Sequence, residues 1–256
     1  MEQQQRTDAW FNQRRGKVTA SAVGTMLGLN SYKKPEALWR ELTGRDPPFE
    51  GNYCTHYGTR NEANGVLEYQ CLTGQYVDLT GFHVHKTYYW LGGSPDGLVG
   101  ERGLLEVKCP MSKKVWTPDQ VPLCYYAQMQ VLMEVTDRDW CHLFAWRPFK
   151  ETQQLICFQR NRQWFEGIMH TLVNFFTSLQ QQEPPPPCPN IVESTRAMML
   201  QDVLPWPPGV FCPVVMPFSH FDSNGKRIQL SDNLEQSSVS QAEPKRCRVQ
   251  EGSRSD

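Results

Sequence analysis

The segment Gly92-Gly93-Ser94-Pro95-Asp96-Gly97, followed by Leu105-Glu106-Val107-Lys108-Cys109-Pro110, carries the residue types that break phosphodiesters. Asp96 follows an apolar run and falls in a Ser-Pro-Asp-Gly turn signal. Glu106 and Lys108 alternate with Leu105 and Val107, so a strand there puts the acid and the base on one face and Val107 on the other. A hairpin spanning 90–107 brings Asp96 beside Glu106. Two carboxylates are hard oxygen ligands suited to Mg²⁺, which keeps several waters and accepts a phosphate as well. The cation lowers the pKa of a bound water, and Lys108 stabilises the negative charge that develops on the phosphate. Taken singly, the turn is an ordinary turn and Glu-x-Lys an ordinary solvated face; their conjunction carries the reading.

Three further features sit around this pair. Glu62, in a run that predicts a helix over 56–72, lies at the border of an apolar face formed by Ala63, Val66, Leu67 and Cys71, where it would join the metal site; the plain alternative is a surface glutamate in an ion pair. Gln128, in a helix predicted over 122–133, shares a face with Tyr125, Met129 and Leu132, and an inward amide needs partners such as an active-site lysine. Near the start of the chain, Trp10, Arg14, Arg15, Lys17, Thr19 and Ser21 precede or open a helix over 19–29. Hydroxyls at a helix start behind three basic residues make a seat for phosphate, and simple capping is the alternative.

The elements that must hold these residues are legible from period and punctuation. Pro35 and Gly44 bracket a second helix. Residues 75–91, 98–99, 104–107, 140–147 and 154–158 read as strands. Residues 164–179 read as an amphipathic helix with apolar residues at 164, 165, 168, 172, 175, 176 and 179. This order predicts an α/β domain, a central mixed sheet flanked by helices. Ten of the 19 prolines lie between 184 and 217, which predicts an extended, non-helical segment there. The expected organisation is a catalytic domain over 1–182, a Pro-rich extension over 183–220 and a disordered tail over 221–256.

The 256 residues carry 26 Lys and Arg against 27 Asp and Glu, a net charge of −1. Such a balance excludes a polybasic coat protein, so nucleic acid must be met by a local patch; Arg14, Arg15, Lys17, Lys113 and Lys114 are the expected groove. No apolar run is long enough for a membrane span. Nine cysteines, an odd count with no CxxC spacing, argue against a disulfide framework or zinc ribbon and for reduced thiols in an intracellular protein.

Together, Trp10, Arg14, Thr19-Ala20-Ser21, the stretch from His56 to Glu62, Ser94-Pro95-Asp96-Gly97, Leu105 to Pro110 and Tyr125-x2-Gln128 resemble the lambda exonuclease or YqaJ-like viral recombinase family of the PD-(D/E)xK nuclease superfamily. The resemblance runs from about Trp10 to about Arg147. It implies a restriction-endonuclease-like core and a 5′→3′ exonuclease on duplex DNA, acting in recombination, repair or viral DNA processing. It also implies a homo-trimer and a single-strand annealing partner. Asp96 and Glu106 would hold Mg²⁺ (or Mn²⁺) with help from the Val107 carbonyl. Lys108 would act on the attacking water, Glu62 would support the metal site, and Gln128 would orient the lysine or the substrate. Arg14, Ser21 and Ser94 would hold a terminal 5′ phosphate. The alternatives are an endonuclease, nickase or junction resolvase of the same superfamily, or a non-catalytic DNA-binding module. In the tail, Pro244-Lys245-Arg246-Cys247-Arg248-Val249 resembles a short nuclear-import signal, which a random basic patch matches equally well.

Overall fold

Helix α1 (Asp8–Arg14) starts where the Thr7 side chain accepts from Trp10 N at 3.3 Å. The structure, a computed structural model, describes residues 5–111, 116–148 and 153–205, together with two short strands at 220–221 and 227–228. Strand β1 (Val18–Thr19) leads into α2 (Ala20–Met26). Helix α3 (Pro35–Leu42) has proline in its first turn, and Gly44 follows it in the left-handed region at φ +73°. Helix α4 (Tyr53–Thr73) begins three residues earlier than its apolar spacing predicts. A reciprocal capping box between Asn52 and Thr55 fixes that start, and left-handed Gly74 ends the helix.

Three short strands follow, β2 (Val77–Asp78), β3 (His83–Val84) and β4 (Leu91–Gly93). Next come the hairpin strands β5 (Gly97–Val99) and β6 (Gly103–Lys108). Helix α5 (Leu123–Thr136), strands β7 (Trp140–Ala145) and β8 (Gln154–Gln159), and helices α6 (Arg162–Gln181) and α7 (Val192–Gln201) complete this unit. A separate unit from Met216 onward contains β9 (His220–Phe221) paired antiparallel with β10 (Arg227–Ile228).

The main sheet has the order β2-β5-β6-β7-β8, antiparallel except for the parallel β6–β7 pair. This is the expected mixed sheet flanked by helices. A smaller sheet, β1-β4-β3, pairs Thr19 with Gly92 in parallel register and so carries the N-terminal motif to the Ser94–Asp96 connection. Alternation along β6 sends Leu104 into the core shared with α2, α5 and α6, and Leu105 and Val107 into the core under α4.

Three sequence expectations need correction. The buried face of α4 is Gly65, Val66, Tyr69 and Thr73, while Ala63, Leu67 and Cys71 are exposed. The helix packs closely on Val107, since a Cβ on Gly65 would stand 2.6 Å from Val107 Cγ1; its anchor is an aromatic whose hydroxyl bonds a histidine, not an aliphatic stripe. Ser94-Pro95-Asp96 is the crossing from one sheet to the other, and the β5–β6 hairpin turns instead at Gly100, in the left-handed region at φ +54°. The region expected to be extended holds α7, because 190–204 is free of proline. That helix buries Thr195 and Met199, and the following Asp202 accepts from Tyr126 Oη at 2.5 Å. Lys113, Lys114, the prolines from 207 to 217 and the basic motif at 244–249 lie outside the described residues. Among the described residues no helix is long and apolar enough to cross a membrane, and all seven cysteines are free thiols.

Candidate active site

β5 ends its pairing with β6 at Gly97 opposite Leu105, which leaves the next main-chain donor of β6 without a strand partner. Asp96 supplies one: its Oδ2 accepts from Val107 N at 2.7 Å. One hydrogen bond therefore fixes the aspartate beside the strand that carries Glu106 and Lys108.

On the α5 face of β6, Glu106 is 2 % exposed. Its Oε1 accepts from Lys108 Nζ at 2.5 Å and from Gln128 Nε2 at 2.6 Å. Gln128 Oε1 stands 3.4 Å from Lys108 Nζ, and the ammonium lies 4.8 Å from the centre of the Tyr125 ring. Tyr125 and Gln128 are one helical turn apart on α5, the spacing that lets both reach one lysine. Among the described residues, Glu106 Oε2 is buried and has no partner. A buried carboxylate oxygen left unsatisfied is costly, and a hard cation is a partner that suits it.

The electrostatics follow from burial and crowding. Burial raises the Asp96 carboxyl well above its ordinary range, the charges of Glu106 and then Glu62 raise it further, and Lys108 and the Val107 N–H oppose them. Burial likewise raises Glu106, against the pull of Lys108 and Gln128. Burial disfavours the Lys108 ammonium, yet Glu106 and Asp96 outweigh it and hold the lysine charged. The neighbouring Cys109 thiol is pushed up to about 12, first by burial and then by Glu62 and Asp96. Two carboxylates that resist ionisation around one cation form a site short of positive charge.

The proposed phosphate-seat residues assemble through the β1–β4 pairing. Trp10 Nε1 donates to Ser94 Oγ at 2.9 Å, and the Arg14 guanidinium stacks 4.0 Å from the Trp10 ring centre. Partial burial lowers the Arg14 pKa. Ser21, exposed in the first turn of α2, has its Oγ 3.1 Å from Thr19 Oγ1. Gly93, next to Ser94, is so close to α2 that a Cβ on it would stand 2.9 Å from Ala20 Cβ. Arg15 is exposed and Lys17 partly so.

Glu62 is the exception. It sits on α4, and its Oε2 accepts from Arg6 Nη2 at 2.9 Å. Among the described residues no three His, Cys, Asp or Glu side chains converge as a ready-made ligand cluster. Sequence reasoning missed Arg6, and also Gln5, whose Nε2 donates to Thr80 O at 3.1 Å and Pro95 O at 2.8 Å. Their partners are 56 to 90 residues away, and no local pattern marks them.

Residues 9–139 match the YqaJ-like viral recombinase domain. The chain is 27% identical over 154 residues to an uncharacterised protein of Acanthamoeba polyphaga mimivirus, covering 54% of this chain and 28% of that one. It is 26% identical over 164 residues to the uncharacterised protein YqaJ of Bacillus subtilis strain 168, covering 58% and 51%. It therefore spans about half or less of the length of these curated relatives. Among solved structures, an alkaline exonuclease from Laribacter hongkongensis is similar with a TM-score of 0.59 at 27% identity, over 76% of this chain and 99% of that one. The complex of that enzyme with dAMP gives 0.60 at 26%, with the same coverage. A phage-related exonuclease from Haemophilus somnus 129PT shares the fold, with a TM-score of 0.55 at 16% identity, over 65% and 94%.

Proposed function

Since the chain belongs to the YqaJ-like viral recombinase domain family, we propose that it is a divalent-metal-dependent deoxyribonuclease that digests one strand of duplex DNA from its 5′ end. The observation that carries this reading is the buried Glu106 carboxylate, held by Lys108 and Gln128, with its second oxygen unpartnered among the described residues and Asp96 fixed alongside. The likeness to an alkaline exonuclease structure supports the same reaction class.

The donor set fits Mg²⁺ or Mn²⁺: Asp96 and Glu106 would hold the cation, joined by the Val107 carbonyl, with Glu62 as a further acid. When bound, the cation supplies a water of lowered pKa and polarises the phosphate. The side chains of the protein do the rest. Lys108, kept charged by its neighbours, stabilises negative charge on the phosphate as the attacking oxygen adds. Gln128 bridges Glu106 and Lys108 and so fixes both rotamers. Arg14, Ser21 and Ser94 seat the terminal 5′ phosphate at the start of α2 and select ends over internal positions. Duplex DNA as substrate, a homo-trimer, a single-strand annealing partner, action in recombination, repair or viral DNA processing, and a nuclear location in a eukaryotic host belong to the same proposal.

The test is digestion of linear duplex DNA across a Mg²⁺ and Mn²⁺ titration, with Lys108→Ala and a chelator as controls. Cleavage that needs both the cation and Lys108 is the expected result. Cleavage that survives chelation or the Lys108 substitution contradicts the assignment.

A further inference from the structure

The acid at position 62 is withheld from the other two. Its carboxylate is paired with Arg6 at 2.9 Å, although its charge bears on both Asp96 and Glu106. Arg6 reaches it because the chain is pinned on both sides. Gln5 is bonded to the carbonyls of Thr80 and Pro95, and Trp10 to the hydroxyl of Ser94. Between these anchors the backbone passes through Arg6 at φ +67°, a conformation usually left to glycine. Residues 5–10 thus form a strap along the Ser94–Asp96 connection, and the strap delivers a guanidinium to Glu62.

A guanidinium and a divalent cation compete for the same carboxylate lone pairs. We infer that Arg6 is the resident counter-ion of Glu62: while the two are paired, Glu62 stays out of the two-carboxylate centre, and a divalent cation entering that centre recruits Glu62 by displacing Arg6. The strap thereby sets the cation concentration at which the site is completed. This inference rests on the cation reading proposed above. A plain surface ion pair, by contrast, would leave cation affinity untouched.

The experiment is isothermal titration of Mn²⁺ into the full chain without DNA, for wild type, Arg6→Gln, Glu62→Gln and the double variant. Arg6→Gln is expected to bind Mn²⁺ about two- to fivefold more tightly, the range that a partly exposed Arg–carboxylate pair is worth. Glu62→Gln is expected to bind more weakly, and Arg6→Gln to add nothing in that background. Unchanged or weaker binding by Arg6→Gln overturns the inference while leaving the cation site standing. An equal gain in the Glu62→Gln background also overturns it, because the effect is then a general charge effect. Failure of wild type to bind Mn²⁺ at all overturns the cation reading and the inference with it.

Discussion

Acidification is expected to loosen α4 from the sheet through one buried residue, His142. Its ring is fully buried in β7, with Nδ1 2.7 Å from Tyr69 Oη of α4 and Nε2 without a partner among the described residues. Burial lowers the His142 pKa to about 3, against about 6.5 in an unfolded chain. Between those values the unfolded state binds a proton that the folded state refuses, so stability falls as pH drops through 6.5 towards 3. At pH 5 this linkage amounts to a loss of roughly 2 kcal/mol relative to pH 7.5. Asp96 and Glu106 act in the opposite sense. Their folded pKa values are raised, so they lose stability as pH climbs above the unfolded carboxylate value. The informative quantity is therefore a difference between two proteins. Urea denaturation at pH 5.0 and 7.5 would be compared for wild type and for His142→Leu combined with Tyr69→Phe, which removes both polar partners together. The double variant is expected to lose about 2 kcal/mol less on acidification. Identical pH dependence in the two proteins would refute the argument.

Other outcomes follow from the same geometry. Lys108→Met should lower kcat by about 100- to 1,000-fold, as expected for loss of a transition-state charge stabiliser, while DNA binding measured by anisotropy holds; parallel loss of binding would contradict the role. Arg14→Ala should weaken the preference for 5′-phosphorylated over 5′-hydroxyl ends by about 10- to 100-fold, the worth of a charge-assisted hydrogen bond; an unchanged preference in end-competition digests removes it from the phosphate seat. A Cβ on Gly24 would stand 2.5 Å from Cys124 Cβ and 2.6 Å from its Cα. Gly24→Ala should therefore force α2 away from α5 at a cost of about 1–3 kcal/mol, visible as a lowered Tm. Gly167→Ala in α6, with no described residue within 4 Å of the added carbon, should raise stability by about 0.5–1 kcal/mol; calorimetry on the pair checks both signs.

The contacts at the centre of the candidate site are legible because their geometry is local. Strand alternation alone put Glu106 and Lys108 on one face, helical period put Gln128 with Tyr125, and the resulting contacts are those observed. What escaped the sequence is tertiary. The inward face of α4 is not readable locally because Leu67 and Cys71 look like core, whereas close approach to Val107 selects Gly65, and the Tyr69–His142 pair anchors the helix. Helix α7 was hidden by counting prolines across a window whose middle contains none. The diversion of Glu62 to Arg6 depends on two anchors made by Gln5 and Trp10, and only the folded chain brings those residues together.

End-dependent digestion is decided by exposing three forms of one duplex to the protein with Mg²⁺: linear with 5′ phosphates, linear with 5′ hydroxyls, and closed circular. Strand loss from phosphorylated ends, slower loss from hydroxyl ends and intact circles are the expected results. Cutting of closed circles at the rate of linear DNA would contradict end dependence.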